Sequence, residues 1–434
     1  MKNKLAINLN EINWEWLLGY ARLKNFKNIV SLFSLEMVTT KSEKQYKYLE
    51  PWIQWPTYYL GKSFSKHNYF HLGDADKNNK NYSIYNYFQD NEGDVLALAP
   101  MNCSFKPKNN SLLIHDPWSK KGVVNGSNFL NKFWDAICYF VNENSTNNFK
   151  INYLIYLFVG LIRFARFRNY FFYLKLLTLS IFFKWARAIF LDLLLFDVYF
   201  SLVKPGRYKY SSIFLNAGAH IQHHYLYDSL IYKSQKGKNE NPTCYSSIFS
   251  KFLDPLYQIY KVYDHITYDL LRLSKKFNIE ITTGLQQKEN PKPYFQYRIK
   301  NFEDFFNLIS IKYTHYEKKM SRDVYVFFNN KCDLESARKE LYKFTINNKP
   351  LFKIWLSKKD LSMFVQVSYR GDLRALKMVK FDNQLIDFTK FFTVVSIENA
   401  IHITKGWHIN NFHKFKNTEI PLKDLTKELY GFKY

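Results

Sequence analysis

Short apolar runs that end in small or polar residues recur along the chain. They are KLAINLNE (4–11), DVLALAPMN (94–102), SSIFLNAGAH (211–220) and NIEITTGLQQ (278–287). Runs of this length and composition are typical of parallel strands that are buried on both faces. Segments with helical periodicity alternate with them, for example from Trp14 onward and in YQIYKVYDHITYDLLRLSKKF. The alternation predicts an α/β fold, with a mostly parallel sheet covered by helices on both faces.

One long apolar segment, residues 151–204, does not fit this alternation and is predicted to be a helical insertion. Its longest uncharged run, 151–162, has 12 residues, whereas a bilayer crossing needs about 18 to 20. Basic residues interrupt the segment at near-helical spacing: Arg163, Arg166, Arg168, Lys175, Lys184 and Arg187. Two interpretations stay open. The segment forms two or three buried helices with basic edges, or a basic amphipathic hairpin on an anionic membrane surface.

Residues 291–373 change in texture and predict a small α+β subdomain. MSRDVYVFF has the pattern of a strand, and DLESARKELYKF that of a helix with Asp333 as its N-cap. LFKIWLSKK and LSMFVQVSYR are typical of a hairpin. The remaining ranges, 1–150, 205–290 and 374–434, are predicted to form one α/β core.

The chain has 434 residues and a formal net charge of +25. This charge favours anionic partners, such as phosphorylated substrates or anionic lipid. Because no run of five or more basic residues occurs, the pattern argues against a dedicated nucleic-acid-binding protein. The opening residues lack an apolar signal-peptide core and the cysteines lack paired spacing, which predicts a cytoplasmic protein, with attachment to the inner face of the membrane as an alternative. The oligomeric state is left open.

Polar residues follow the predicted strands at their carboxyl ends, where ligands collect in open α/β sheets. These residues are Asn10 and Glu11, Asn102, Asn216 with His220, and Thr282 with Thr283. Three histidines, His220, His223 and His224, fall within five positions of the third strand's end. A metal or phosphate site at this edge is the natural hypothesis, although the histidines could also simply bond to their neighbours.

Four motifs occur in an order similar to that of the alkaline phosphatase superfamily, which includes nucleotide pyrophosphatase/phosphodiesterases, sulfatases and phosphoglycerol transferases. They are NLNEINW, LEPWIQWPTYYLGKSFSKHNYFHLGD (49–74), FLNAGAHIQHHY and TKGWH. EPWIQW and MSRD resemble signatures of a bacterial subfamily, and the likeness extends from residue 4 to about 415. It implies an alkaline-phosphatase-like fold. It also implies metal-dependent hydrolysis or transfer of phosphoesters or sulfoesters, with an anionic phosphorylated or sulfated substrate, in surface-polysaccharide or lipid-linked metabolism for example.

The resemblance also implies metal ligands. Asn216 and His220 have the spacing of the family's Asp-x-x-x-His element, and Gly406-x-His408 matches its later Gly-x-His element. Asn216, His220 and His408 are therefore expected to hold one divalent metal, zinc or manganese, and Glu11 is a further candidate ligand. The family's second metal site has no ligands here after NIEIT, so one metal site is expected.

Catalytic and substrate-binding residues follow from the same resemblance. The family's nucleophile position falls on Pro51, which cannot attack, so Thr57 is the nearest hydroxyl in the motif. Glu50 could ligate a metal or act as a base, or it could simply cap a helix. Candidate substrate-binding residues are Asn10, Gln54, Gln222, His223, His224 and Arg322. Either His223 or His224 could instead ligate the metal.

Three functions stay open from the sequence. The first is a metal-dependent phosphoester or sulfoester hydrolase or transferase. The second is a catalytically lapsed relative that binds a phosphorylated or sulfated ligand or a protein partner, because the second metal site and the nucleophile are missing. The third is a basic membrane-surface or nucleic-acid-binding protein.

Overall fold

A computed structural model describes residues 2–77, 81–119, 121–142, 150–232, 253–319, 323–357, 360–371 and 378–432. The chain divides into two compact units. The core unit comprises Met1–Glu289 with Ala400–Tyr434, and the small unit comprises Asn290–Asn399.

The described helices and strands alternate along the core unit, as the sequence predicts. The helices are α1 (Trp14–Leu23), α2 (Lys27–Leu32), α3 (Pro51–Leu60), α4 (Phe64–His67), α5 (Asp74–Lys77), α6 (Ile84–Asn91), α7 (Asn128–Asn142), α8 (Ile151–Phe164), α9 (Tyr170–Phe182), α10 (Lys184–Leu202), α11 (Ala217–Tyr225), α12 (Pro255–Leu273), α13 (Phe302–Leu308), α14 (Lys331–Tyr342), α15 (Phe388–Phe391) and α16 (Leu425–Tyr430). The strands are β1 (Lys4–Leu9), β2 (Glu36–Lys41), β3 (Val95–Leu98), β4 (Leu112–Ile114), β5 (Val123–Val124), β6 (Tyr210–Leu215), β7 (Asn278–Thr282), β8 (Gln286–Glu289), β9 (Phe295–Ile299), β10 (His315–Lys319), β11 (Asp323–Phe327), β12 (Phe344–Ile346), β13 (Lys349–Pro350), β14 (Phe352–Leu356), β15 (Ser362–Val367), β16 (Met378–Phe381), β17 (Gln384–Asp387), β18 (Phe392–Ile397), β19 (Ala400–Ile403), β20 (Lys405–Asn410) and β21 (Glu419–Pro421).

The central sheet of the core unit has the strand order β21-β2-β20-β7-β1-β6-β3-β4-β5. The strands from β7 to β4 pair in parallel, while β20 is antiparallel to both of its neighbours. All four apolar runs of the sequence contribute strands of this parallel centre. The predicted α/β class with a mostly parallel sheet is therefore confirmed.

Two neighbouring serines in β6 show that helices cover both faces of the sheet. Successive side chains of a strand point to opposite faces. The Tyr199 hydroxyl of α10 donates to Ser211 Oγ, whereas Ser212 Oγ is hydrogen-bonded to the Tyr85 hydroxyl of α6. Consequently α10 covers one face and α6 the other. Because the central strands are enclosed on both sides, every residue of β1, β3 and β6 is buried.

The small unit is built from α13 to α15 and short antiparallel strands. Strands β14 and β15 form the predicted antiparallel pair. The unit runs to Asn399 rather than 373 because β16 pairs with β12 and β18 pairs with β9. The N-cap of α14 is Asn330, whose side chain accepts from the Asp333 N–H, so Asp333 lies inside the helix instead of capping it.

The segment 151–204 forms α8, α9 and α10, of which only α10 is largely buried. Gly160 is the sole buried residue of α8, and Tyr173 and Leu176 are the buried residues of α9. The interpretation as two or three buried helices is thus wrong for α8 and α9, whose outer sides are exposed. Among the described helices, none combines the length and the apolar character that a bilayer crossing requires.

The buried carboxylate of Asp197 in α10 ties the turn between α8 and α9 to the core. It accepts hydrogen bonds from Arg166 Nε, Asn169 Nδ2 and the Tyr173 hydroxyl, and the Arg166 backbone N–H also donates to it. Arg166 Nη1 continues to Asp269 of α12. This network fixes the helical segment on the core unit.

Candidate metal centre

Helix α11 begins directly after β6, and its first turn is capped from another helix. Asn216 occupies the N-cap position but makes no side-chain cap bond. Instead, the carboxylate of Asp192 in α10 accepts from the N–H groups of Asn216 and Ala217 and from the Tyr263 hydroxyl. Burial raises the pKa of Asp192 to about 7 although these donors lower it. The cap aims α11 so that one side faces the end of β1.

Glu11 follows β1 in a left-handed backbone conformation, with φ of 56°. A non-glycine residue in this region carries backbone strain of about 1 to 3 kcal/mol unless its surroundings hold it. Two hydrogen bonds do so here: the Glu11 N–H donates to Thr283 O, and Gln222 Nε2 donates to Glu11 O. The strained turn directs the Glu11 carboxylate toward α11.

Three side-chain atoms converge at this point. Glu11 Oε2 lies 3.1 Å from His223 Nε2 and 3.0 Å from His402 Nε2, and the two Nε2 atoms are 3.1 Å apart. Ligand atoms about 2.0 to 2.1 Å from a tetrahedral zinc ion lie about 3.3 to 3.4 Å from one another. The triangle therefore has nearly the dimensions of one face of such a site, and among the described residues it is the one group of this kind found.

The outer nitrogen of His223 shows why a cation suits this triangle. His223 Nδ1 lies 2.8 Å from Ala400 O, a carbonyl that can only accept, so Nδ1 carries a proton. In the neutral ring, Nε2 then presents a lone pair to the Glu11 carboxylate. A proton or a metal ion must lie between them to offset this repulsion. Metal-ligating histidines usually donate their other ring nitrogen in this way.

The charges of the triangle stabilise one another. Burial acts to raise the pKa of Glu11, but the imidazoles of His402 and His223 outweigh it and hold that pKa well below its ordinary value. Burial lowers the pKa of His402, yet the Glu11 carboxylate outweighs it and raises the pKa above its ordinary value. The arrangement thus favours an anionic carboxylate facing a positive charge.

Amide side chains hold the Glu11 carboxylate in place. Gln287 Nε2 donates to Oε2 and Asn10 Nδ2 donates to Oε1. Asn10 also donates to Asn216 Oδ1 at 2.8 Å and accepts from Trp55 Nε1 at 2.7 Å. Asn10 and Asn216 therefore bond to each other and surround the triangle. Here the structure places the predicted ligand Asn216 and the predicted substrate-binding residue Asn10.

Glu50 lies at the accessible side of the triangle, at the N-cap position of α3. Its Oε2 is 3.7 Å from His402 Nδ1, and its side chain is 35% exposed. The Glu11 side chain is only 3% exposed, and those of His223 and His402 are 17% and 12% exposed. The site is therefore open to solvent on the side where Glu50 stands.

The structure does not bring His220 and His408 together, although the sequence assigned both to one metal. His220 is exposed on α11, which packs against α10 on one face of the sheet. His408 is fully buried on β20, where its Nδ1 is 2.8 Å from Thr282 Oγ1. Thr282 shares its face of β7 with Glu280, which contacts Tyr58 of α3 on the opposite side of the sheet. Residue spacing placed the two histidines together, but the sheet lies between them.

Burial governs the chemistry around His408. It lowers the pKa of His408 to about 3 and raises that of Glu280, 3.9 Å away, to about 7. Both side chains are thus neutral over a wide pH range. They form part of the core of the sheet.

Stability should report this buried acid. Because the pKa of Glu280 rises from an ordinary 4.5 to about 7 on folding, its stabilising contribution is complete below the lower value and is lost as pH rises through the higher one. Glu280→Gln stays neutral at every pH. We expect the loss of unfolding free energy from about pH 5 to about pH 8 to be smaller in this variant than in the wild type, by about 1 to 3 kcal/mol. Urea denaturation measures this; parallel pH profiles would contradict it.

Thr57 is not placed as a nucleophile. It is buried in α3, where its hydroxyl bonds to Ile53 O and lies 3.1 Å from His67 Nε2. His67 Nδ1 accepts from the Tyr69 N–H, so Nε2 carries the proton and donates to Thr57. Burial lowers the pKa of His67 to about 4. The imidazole is therefore neutral and cannot take a proton from the hydroxyl.

The other predicted substrate-binding residues have different outcomes. Gln54 is fully buried and donates to Tyr48 O. Gln222 is fully buried as well, and its Oε1 accepts from the Asn13 N–H and the Tyr260 hydroxyl, so it supports the Glu11 turn. The His224 ring packs against that of His220, away from the triangle formed by His223. Arg322 lies outside the described residues.

His402 is the member of the triangle that the sequence did not assign. It lies on β19, which pairs with β8 so that His402 faces Gln287. That pairing joins segments on either side of the small unit, and no local spacing reports it. The one available signal is an additional histidine, within AIHI, close to the motif TKGWH.

No protein-family model and no curated protein matches the chain. Among solved structures, it is similar to murine ectonucleotide pyrophosphatase/phosphodiesterase 5, at 9% identity and a TM-score of 0.42, covering 100% of this chain and 96% of that one. The human protein of the same name gives 10% identity and a TM-score of 0.38 over the same shares. Phosphonoacetate hydrolase from Sinorhizobium meliloti 1021, in complex with phosphonoformate, gives 9% identity and a TM-score of 0.40, covering 98% of this chain and 94% of that one. At this identity no residue role transfers, and the superfamily assignment stays a prediction.

Proposed function

We propose that this chain is a phosphoester hydrolase or transferase that uses one divalent metal, held by Glu11, His223 and His402. The observation that carries the proposal is the convergence of one carboxylate oxygen and two imidazole nitrogens within about 3 Å of one another. Two histidines and a glutamate are a donor set of catalytic zinc sites, which keep one position open for substrate. Manganese is the alternative metal.

The triangle supports ester chemistry through its openness and its charge. A divalent cation held there would act as a Lewis acid on a phosphoryl oxygen and offset the charge that develops on it. The net charge of +25 favours approach of an anionic ester. Phosphate and sulfate esters both meet these requirements, and the motif order of the sequence agrees with either.

The residues around the triangle have separate roles in the proposal. Asn10 and Gln287 orient the Glu11 carboxylate, and Ala400 O fixes the tautomer of His223. Glu50 stands at the open side, where its carboxylate can accept the proton of an attacking water or hydroxyl group. No described hydroxyl is assigned as a nucleophile, so direct attack by the acceptor is the simplest reaction.

A second candidate is a binding protein without turnover. Asn10 and Asn216, two of the residues at the strand ends, bond to each other instead of offering carboxylates. This observation favours a site that retains a metal and captures a phosphorylated or sulfated ligand without cleaving it.

The test compares His223→Ala with His220→Ala. We expect His223→Ala to lower bound zinc or manganese, and hydrolysis of a nitrophenyl phosphodiester, at least about tenfold, because a ligand is removed. His220 lies three positions away on the exposed side of the same helix, so His220→Ala should retain both. Metal is measured by elemental analysis and turnover by nitrophenol release, with a nitrophenyl sulfate in parallel.

The outcomes separate the candidates. Metal retained by His223→Ala at the level of His220→Ala would remove the assigned site. Metal bound by the wild type without turnover of any ester would leave the binding protein as the better assignment.

A further inference from the structure

Helices α8 and α9 have inverted amphipathicity, with their apolar sides turned to solvent. In α8 the exposed apolar residues follow helical spacing: Ile151, Leu154, Ile155, Phe158, Val159 and Ile162. In α9 they are Tyr170, Phe171, Leu174, Leu177, Ile181 and Phe182. Phe167, in the turn between the helices, is 86% exposed. Contiguous exposed apolar surface of this kind marks an interaction site.

The inner sides of both helices are firmly docked, so the exposure does not come from a loose segment. Gly160 lies so close to the Phe133 ring of α7 that an added Cβ would be 2.1 Å from it. Lys175, the one charged residue of α9, turns inward and donates to Gln258 Oε1 of α12. The Asp197 network holds the turn between the helices. The apolar sides are therefore presented by a fixed support.

The charges around these helices are of one sign. From residue 144 to residue 191 the chain has no aspartate or glutamate, while it has seven lysines and arginines. Exposed basic residues lie at the helix ends: Lys150 precedes α8, Arg163 is in its last turn, and Lys184 follows α9. Apolar stripes bracketed by basic residues are typical of helices that lie in the interface of an anionic bilayer.

We propose that α8 and α9 dock this protein on the surface of an anionic phospholipid membrane, with their apolar stripes inserted among the acyl chains. Phosphate-bearing lipid headgroups are the anions that the flanking lysines and arginines meet. The inference is independent of the metal centre.

Flotation with lipid vesicles tests the proposal. The vesicles contain phosphatidylcholine with about 30 mol% phosphatidylglycerol, or phosphatidylcholine alone. We expect the wild type to bind the anionic vesicles at least about tenfold more strongly than the neutral ones. Raising the salt from about 0.1 M to about 1 M should weaken that binding because charge attraction is screened.

Two variants and a matched control locate the surface. Ile155→Glu with Phe158→Glu changes α8, and Phe171→Glu with Leu174→Glu changes α9. Each should reduce vesicle binding at least about tenfold, because charged side chains replace inserted apolar ones. Leu23→Glu with Leu385→Glu makes the same charge change at exposed leucines outside these helices and should keep full binding. Circular dichroism verifies that all variants fold.

Three results would overturn the proposal. They are no flotation of the wild type with anionic vesicles, and equal flotation of the wild type and both helix variants. The third is a self-associated wild type, measured by light scattering, that the helix variants dissociate while no vesicle binding occurs. In that case a second copy of the chain covers the stripes.

Discussion

Glu11→Gln is expected to lower zinc affinity by at least about a hundredfold, and phosphoester turnover with it. Loss of an outer partner of a metal ligand costs about 10- to 100-fold in affinity or activity, and Glu11 is itself a ligand in the proposed site. It is also the only anionic member of the triangle. Glutamine keeps the size of the side chain, so the change isolates the charge. Competition with a chelator of known affinity measures the zinc constant.

Glu15→Gln is the matched control, since Glu15 is exposed on α1 a few residues away. It should leave both zinc affinity and turnover unchanged. A zinc affinity for Glu11→Gln within about threefold of the wild type would show that the carboxylate is not a ligand. If zinc binding fell and turnover did not, the metal would be separate from the reaction.

Asp197→Ala is expected to lower the unfolding free energy of the core unit by about 3 to 5 kcal/mol, the usual cost of breaking a buried ion pair by removing one partner. The Asp197 side chain is fully buried, and the change leaves Arg166, Asn169 and Tyr173 without their shared acceptor. Tryptophan fluorescence during urea denaturation measures the effect. All tryptophans except Trp355 lie in the core unit, so this signal reports mainly on that unit.

An exposed ion pair provides the comparison for Asp197. Glu335 and Arg338 pair on the surface of α14 with both side chains about 40% exposed. Exposed pairs contribute about 0 to 1 kcal/mol, so Glu335→Ala should change stability by no more than that. A loss of less than about 1 kcal/mol in Asp197→Ala would mean that Asp269 alone retains Arg166.

The central strands could be predicted because their surroundings impose one simple rule. Strands β1, β3 and β6 are covered on both faces, so they are continuous apolar runs that stand out in the sequence. Strands β2 and β20 carry mixed polar residues and were not predicted. Their position depends on pairing between residues 36–41 and 405–410, and such distant pairing leaves no periodic signal.

The candidate site was partly predictable for a related reason. Glu11 and His223 lie just beyond β1 and β6, where parallel strands direct polar residues to one edge. His402 belongs to an antiparallel strand and reaches the same edge through its pairing with β8. His408 was favoured by its motif, but an alternating strand turns that residue into the core. Strand direction, which the sequence does not state, decided between the two histidines.

The small unit enters and leaves the chain at a single point. Glu289 and Ala400 are opposite each other in the β8–β19 pair, and the Asn290 N–H donates to Asn399 O. Topologically, residues 290–399 are therefore an expanded hairpin tip. Evolution could lengthen, exchange or delete such a tip in one genetic step, because closing a longer loop costs little free energy. The register that delivers His402 is independent of whatever module the tip contains.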